Sequence, residues 1–302
     1  MRCLPLADDC GIGEKETEDI LRCIDAKSLR GASLLANGSF TEKAAALMGR
    51  RLAADPGLRA GAHLNLLEGK CSAAPASVPL LADASGRFRH SLGGLCGRLL
   101  FLPAAEKKEF IEQTAREWLA QITRIRNLLC EASGLEEVPL YLDGHQHVHA
   151  IPALRPALAR VLDAFRFVHV RSPEEPRYAC PAPLSLRVVG TARRELLAHW
   201  GAGLRRFLTA RGVSVPDFFI GGMCSGSMTG PRLEAGLAAV CARARSTDLV
   251  EIMFHPGGAD SGGGGKDVFS AFYAAPERAV EKNLLLSREY RELLGLYDPQ
   301  WR

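Results

Sequence analysis

The sequence predicts an α/β fold in which some six or seven parallel strands alternate with helices in a barrel that need not close. Three observations predict it. Short apolar runs that end in polar or glycine-containing turns are followed repeatedly by stretches with apolar residues three and four positions apart, the alternation of strand and helix that builds a parallel sheet. The 302 residues suit one barrel-sized domain better than two ordinary ones. Chemically active side chains gather where the apolar runs give way to loops, the rim on which parallel α/β architectures build their sites.

The elements follow in order. Cys3 to Ala7 reads as a strand ending at Asp8-Asp9-Cys10-Gly11, and Glu14 to Ala26 as a helix with Ile20, Leu21 and Ile24 on one side. Gly31 to Asn37 repeats the scheme, with Thr41 as the cap of a helix running to about Ala54. Ala60 to Leu66 is a third strand carrying His63 and Asn65 at its end. From Glu68 to about Leu102 the pattern dissolves into Gly, Pro, Ala and Ser, which predicts an inserted loop or lid with short helical pieces. Phe110, Ile111, Trp118, Ile122, Ile125 and Leu128 then mark a long amphipathic helix from Ala105 to about Ala132.

Val138 to Leu142 is a strand that runs straight into Asp143-Gly144-His145-Gln146-His147-Val148-His149, and Pro152 opens the next helix. Arg166 to Arg171 reads as a strand stopped by Ser172-Pro173, after which Glu174 to Ser185 is proline-rich and irregular. Val188-Val189 reads as a short strand or turn before a helix to about Arg211. Asp217 to Ile220 and Leu249 to His255 are strands flanking a helix from Pro231 to about Arg243, and one helix from Glu277 to about Leu294 closes the chain.

Composition narrows the function classes. Hydrophobic residues make up 47% and charged residues 24%, the balance of a folded globular protein. The net charge of +4 is modest and its basic residues are scattered, so no nucleic-acid partner is expected. Nine cysteines without a CxxC pair fit reduced thiols in the cytoplasm, not a disulfide framework. No apolar run approaches the ~18 residues of a membrane span, so no membrane partner is expected. A homodimer is compatible with the sequence, which does not fix the oligomeric state.

Three of the eight histidines fall within His145–His149. Imidazole is the commonest metal ligand at neutral pH, and a carboxylate such as Asp143 commonly orients one. A single His-x-His fits a polar loop equally well. The wider pattern is more specific, because Asp8-Asp9, His63, Asp143-His145 and His255 all lie at strand ends and would meet on one rim. Two aspartates and several imidazoles there suit a hydrolytic centre with one divalent metal ion. Imidazole and carboxylate donors of this kind would accept Zn²⁺ or another transition ion.

The blocks Ala7-Asp8-Asp9-Cys10-Gly11, Gly61-Ala62-His63-Leu64-Asn65-Leu66, Leu142 to His149 and Glu251-Ile252-Met253-Phe254-His255-Pro256-Gly257 resemble, in order and spacing, those of the YdjC-like carbohydrate deacetylases. That family includes chitooligosaccharide and hopanoid-biosynthesis deacetylases, and the resemblance covers residues 3 to about 295. It implies a single domain with a (β/α) barrel related to the TIM barrel. The activity it implies is metal-dependent removal of the acetyl group from an N-acetylated sugar or oligosaccharide, with Mg²⁺ or a similar ion. By the same resemblance Asp9, His63 and His145 would hold the metal, Asp8 would be the general base and His255 the general acid.

Asn65, Asp143, His147, His149 and Arg171 are further candidates for supporting or substrate contacts, Asp143 as an orienting partner. His90, His169 and His199 are expected to be structural or exposed. Cys10 stands where the family has an aromatic residue, which predicts a different pocket floor. The glycine run Gly262 to Gly265 lacks the Ser/Thr and the setting of a phosphate loop and reads as a rim loop. Two other functions fit the same residues: an amidohydrolase or esterase acting on a non-sugar substrate, and a catalytically silent carbohydrate-binding protein.

Overall fold

A computed structural model describes residues 1–257 and 277–301. Its strands are β1 (Arg2–Cys10), β2 (Gly31–Leu35), β3 (Arg59–Leu64), β4 (Leu140–Gly144), β5 (Phe218–Ile220) and β6 (Leu249–Phe254). They pair in parallel in the order β4-β3-β2-β1-β6-β5, forming an incomplete barrel. The helices are α1 (Glu14–Asp25), α2 (Thr41–Ala54), α3 (Leu92–Phe101), α4 (Ala104–Ser133), α5 (Arg155–Ala164), α6 (Leu184–Thr209), α7 (Gly230–Cys241), α8 (Glu277–Leu285) and α9 (Arg288–Tyr297).

Alternation along the strands divides two environments. Ala32 and Leu34, Ala60 and Ala62, Leu140 and Leu142, and Val250, Ile252 and Phe254 are buried in the core between sheet and helices. Side chains with the opposite parity point into the trough of the barrel, where Leu4, Leu6 and Tyr141 form a small separate cluster with Leu249. Gly61 makes room for that cluster, since a Cβ there would stand 2.5 Å from the Tyr141 ring. On the outer side α4 buries Phe110, Trp118, Ile122, Ile125 and Leu129 at three- and four-residue spacing, each contributing about 1.5–3 kcal/mol by leaving water. Gly134, at φ 70°, ends that helix in the left-handed conformation.

Several expectations change. Residues Arg166 to Arg171 do not form a full strand: they run along the open edge of β4 with a single bridge, Leu142–Val170, held by Val168 N to Leu140 O, Leu142 N to His169 O and Arg171 N to Leu142 O. On its other side Val170 donates to Ser214 O of an irregular segment, so no further strand continues the sheet there, and Pro173 has no N–H with which to extend the ladder. Val188 and Val189 lie inside α6, because a weak β preference yields to a long helical context. The last helix breaks in two where Ser287 caps α9 by accepting from Tyr290 N. Thr41 is the first residue of α2 and donates to Leu35 O at 2.7 Å, tying helix to strand where a cap was expected. Cys10 points into the helix-covered core and not toward a pocket floor. Residues 262–265 lie outside the described residues. No helix among those described is long and apolar enough to cross a membrane.

Candidate active site

The site begins with an irregularity in β1. Ala7 is level with Ala32 of β2 and Cys10 with Leu34, so three steps on β1 match two on β2. One residue is extra, and Asp9 absorbs it at φ 65°. In a regular strand neighbouring side chains point to opposite faces; the bulge lets both Asp8 and Asp9 face one cavity. That cavity, of about 290 Å³, is also lined by His63, His145, His147 and His255, with Leu92, Leu197, Arg193 and Met253 in its walls.

Asp9, His63 and His145 converge. Asp9 Oδ1 lies 3.4 Å from His63 Nε2 and 3.3 Å from His145 Nδ1. It is buried and takes part in no hydrogen bond of acceptable geometry. Ligand atoms held about 2.0–2.1 Å from one ion at tetrahedral angles stand about 3.3 Å apart, so the spacing suits a shared cation better than a proton between two atoms. Each of the three offers a ligand atom within 4.8 Å of the others. Burial works against the Asp9 carboxylate, but the His145 and His63 imidazoles outweigh it and hold its pKa well below the usual carboxylate range. The donor set therefore fits a divalent ion.

Further contacts orient these side chains. His63 Nδ1 lies 2.8 Å from Asp143 Oδ1, and Ser33 Oγ donates to Asp143 Oδ2 at 2.9 Å. This leaves His63 Nε2 directed at Asp9, the arrangement in which a carboxylate fixes the tautomer of a ligating imidazole. Asp8, His63 and Asp143 also lie close enough to suggest a second ion site. Asp143, however, already receives Ser33, His63 and Arg171. Those contacts fix the His63 ring in place, and Asp143→Asn is expected to weaken divalent-metal affinity about 10–100-fold with the fold intact. Metal titration followed by circular dichroism of the same samples checks this. On the other side His145 Nε2 lies 3.4 Å from Glu68 Oε2.

Beneath the cavity Arg171 is fully buried among three carboxylates. It donates to Asp8 through Nη1 at 2.6 Å and Nη2 at 2.8 Å, to Glu251 through Nε at 2.5 Å, and sits 3.0 Å from Asp143. Burial alone would raise the Asp8 pKa; the Arg171 guanidinium outweighs it and keeps Asp8 ionised far into acid. His255 Nε2 stands 4.0 Å from Asp8 Oδ2. Burial pushes its pKa down to about 4 against the pull of Asp8 and Asp9, so at rest His255 is neutral. Its backbone is fixed from α8, with its N–H donated to Glu281 and its carbonyl accepting from Arg278 Nε at 3.1 Å.

The remaining candidates separate. His147 lines the cavity, is held at φ 58°, and meets the Phe219 ring edge-on. His149 faces away and holds Arg171 O through Nε2 at 3.0 Å. Asn65 does not line the cavity: its side chain bonds Glu68 O, Asn37 Oδ1 and Leu67 N, shaping the loop that carries Glu68. His169 is structural, stacked on Tyr141 at 5.1 Å. His90 holds Leu80 O, and His199 is exposed. The inserted segment contributes Leu92 of α3, and α6 contributes Arg193, Leu196 and Leu197. Glu251, Ser33, Glu68 and Arg278 were not expected from the sequence. Glu251 sits four residues before His255, with the same inward parity, a signal that counting by twos along β6 would have found.

Residues 6–295 match the family described as YdjC-like protein. Proteins named carbohydrate deacetylase from Mus musculus and Homo sapiens are each 29% identical to the chain, over 98% of it and over 91% and 87% of their own lengths. A crystal structure of an Enterococcus faecalis protein, described in terms of cellobiose-phosphate cleavage, shares the fold with a TM-score of 0.66. It is 19% identical, over 98% of this chain and 94% of its own. A full-length family match and a matching fold with the Asp and His blocks gathered at one cavity lead to one conclusion: the chain belongs to the YdjC-like family.

Proposed function

We propose that the protein is a metal-dependent hydrolase that removes the acetyl group from an N-acetylated sugar or oligosaccharide. The observation that carries the reading is the convergence of Asp9, His63 and His145 beside a second, separately held acid–base pair, Asp8 and His255, in one cavity. Relatives named carbohydrate deacetylase support the sugar substrate. Asp9, His63 and His145 would hold the ion, which when bound polarises an amide carbonyl and acidifies water. Mg²⁺ is implied by family likeness, while the two imidazoles equally suit Zn²⁺.

The protein groups then divide the proton work. Asp8 faces the cavity and takes the proton of the attacking water as the acyl carbon is attacked. Arg171 makes Asp8 a poor place for that proton to stay, and His255, with the higher pKa, is the better one. Their 4.0 Å separation is within reach of one bridging water. His255, once protonated, delivers the proton to the departing nitrogen, which is a poor leaving group without it. Arg171 thus links the base to the acid by keeping the first proton moving.

The test of the function is release of acetate from a panel of N-acetylated mono- and oligosaccharides by the metal-loaded protein. No acetate from any of them, with acetyl esters or non-sugar amides hydrolysed instead, would replace the sugar substrate with another acyl compound. A second expectation concerns protons. In the metal-free protein burial opposes the charged form of His63, but Asp143 and Asp9 push its pKa up to about 10. Its Nε2 is therefore protonated at neutral pH, and a cation must displace that proton to bind. Metal affinity should fall as pH is lowered through the range below about 10, and calorimetry in buffers of different ionisation enthalpy should record proton release on binding.

A further inference from the structure

Outside the acid and base machinery, two thiols face each other in a small cavity that adjoins the main one through Arg193 and Ser225. Cys180 lies on the irregular segment leading to α6, and Cys224 on the loop after β5. Their Sγ atoms are 3.1 Å apart. Both are buried, Cys180 at 7% exposure and Cys224 at 4%. The two segments are already held in register by Glu175, which accepts from Gly221 N at 2.9 Å, Met223 N at 2.7 Å and Tyr178 Oη at 2.9 Å. The cysteines also share a small side cavity with Arg193 and Ser225, and both of these line the main cavity. On its other side Cys180 lines an open groove with Leu184, Val188 and Met223.

We propose that Cys180 and Cys224 are a reversible dithiol–disulfide site, oxidised by exchange with a low-molecular-weight disulfide of the glutathione type. The Cys180 thiolate, reached from the groove, attacks the external disulfide, forming a mixed disulfide and releasing one small thiol. Cys224 then attacks the Cys180 sulfur, closing the protein disulfide and releasing the second small thiol. Two protein thiols have lost two hydrogens and two electrons, and the external disulfide has been reduced to two thiols. The sulfurs need approach by only about 1 Å to reach bonding distance, from side chains already facing each other. Closing the bond fastens the segment before α6 to the loop that carries Ser225, so the wall of the substrate cavity becomes covalent. The enclosed loop spans 44 residues, so the oxidised protein should melt about 5 °C higher than the reduced one.

The experiment uses the full chain, incubated in buffers of graded glutathione disulfide to glutathione ratio, quenched with N-ethylmaleimide and read by intact mass and non-reducing peptide mapping. Wild-type protein is expected to lose the mass of two hydrogens and to yield a peptide linking Cys180 to Cys224. Cys224→Ser is expected to stop at one glutathione on Cys180, and Cys180→Ser to form no cross-link. Exposed Cys241 reports that the reagent is active. Glutathione on Cys241 with Cys180 and Cys224 both still alkylated in the wild type would overturn the proposal, as would a Cys180 linked chiefly to any other cysteine. These readouts need no catalytic activity.

Discussion

Asp9→Asn is expected to abolish stable divalent-metal binding and to lower acetate release by about 10³-fold or more, with the fold kept. Asparagine is the right replacement because residue 9 sits at φ 65°, a conformation that Asn adopts readily and Ala does not. The amide keeps the shape and loses the charge that draws His63 Nε2 and His145 Nδ1 to one point. The lost charge faced the His63 and His145 imidazoles and lay 3.7 Å from Arg278 Nη2, so some loss of stability in the metal-free variant is expected, with circular dichroism reporting that the fold is kept. Metal analysis after dialysis, paired with acetate assays at saturating metal, decides the matter. Full metal content and full rate in the variant would remove Asp9 from the ligand set and with it the proposed centre.

Arg171→Leu is expected to have the larger effect on the fold. The guanidinium is wholly buried and faces Asp8, Asp143 and Glu251. Leucine leaves three buried carboxylates without their cation, and breaking a buried ion network in this way costs about 3–5 kcal/mol. It also removes the main counterweight to burial at Asp8, so the Asp8 pKa should rise. Arg171→Lys restores one charge but not the fork that reaches Asp8 with two nitrogens and Glu251 with a third. Urea midpoints should fall in the order wild type, Lys variant, Leu variant. A Leu variant as stable as the wild type would show that the cluster contributes little to holding the open barrel.

Much of this was legible in the sequence because metal and acid–base chemistry uses few residue types, and those stood at strand ends. Asp8, Asp9, His63, His145 and His255 could be placed on one rim without coordinates. The same reasoning singled out Asp143 beside His145, and the structure puts its carboxylate 2.8 Å from His63 Nδ1. What escaped was set by tertiary context. Glu251 and Ser33 look like ordinary strand residues until alternation turns them inward, where they meet Arg171 and Asp143. Glu68 falls in a stretch with no periodicity, and only the Asn65 turn brings it to His145. The reduced strand at Val170 was misjudged because its partners along the chain, Leu142 and Ser214, are visible only once the edge of the sheet is known.

The extra residue in β1 has a consequence for how the chain can change. Removing one residue between Ala7 and Cys10 would restore an even ladder with β2 and improve the strand by local criteria. It would also swing one of two adjacent carboxylates out of the trough into the layer of Leu34, Ala44 and Met48. The pair is thus joined by arithmetic as well as by proximity: any lineage that keeps two acids at this rim must carry the miscount in its strand, and any that loses the miscount forfeits one of them.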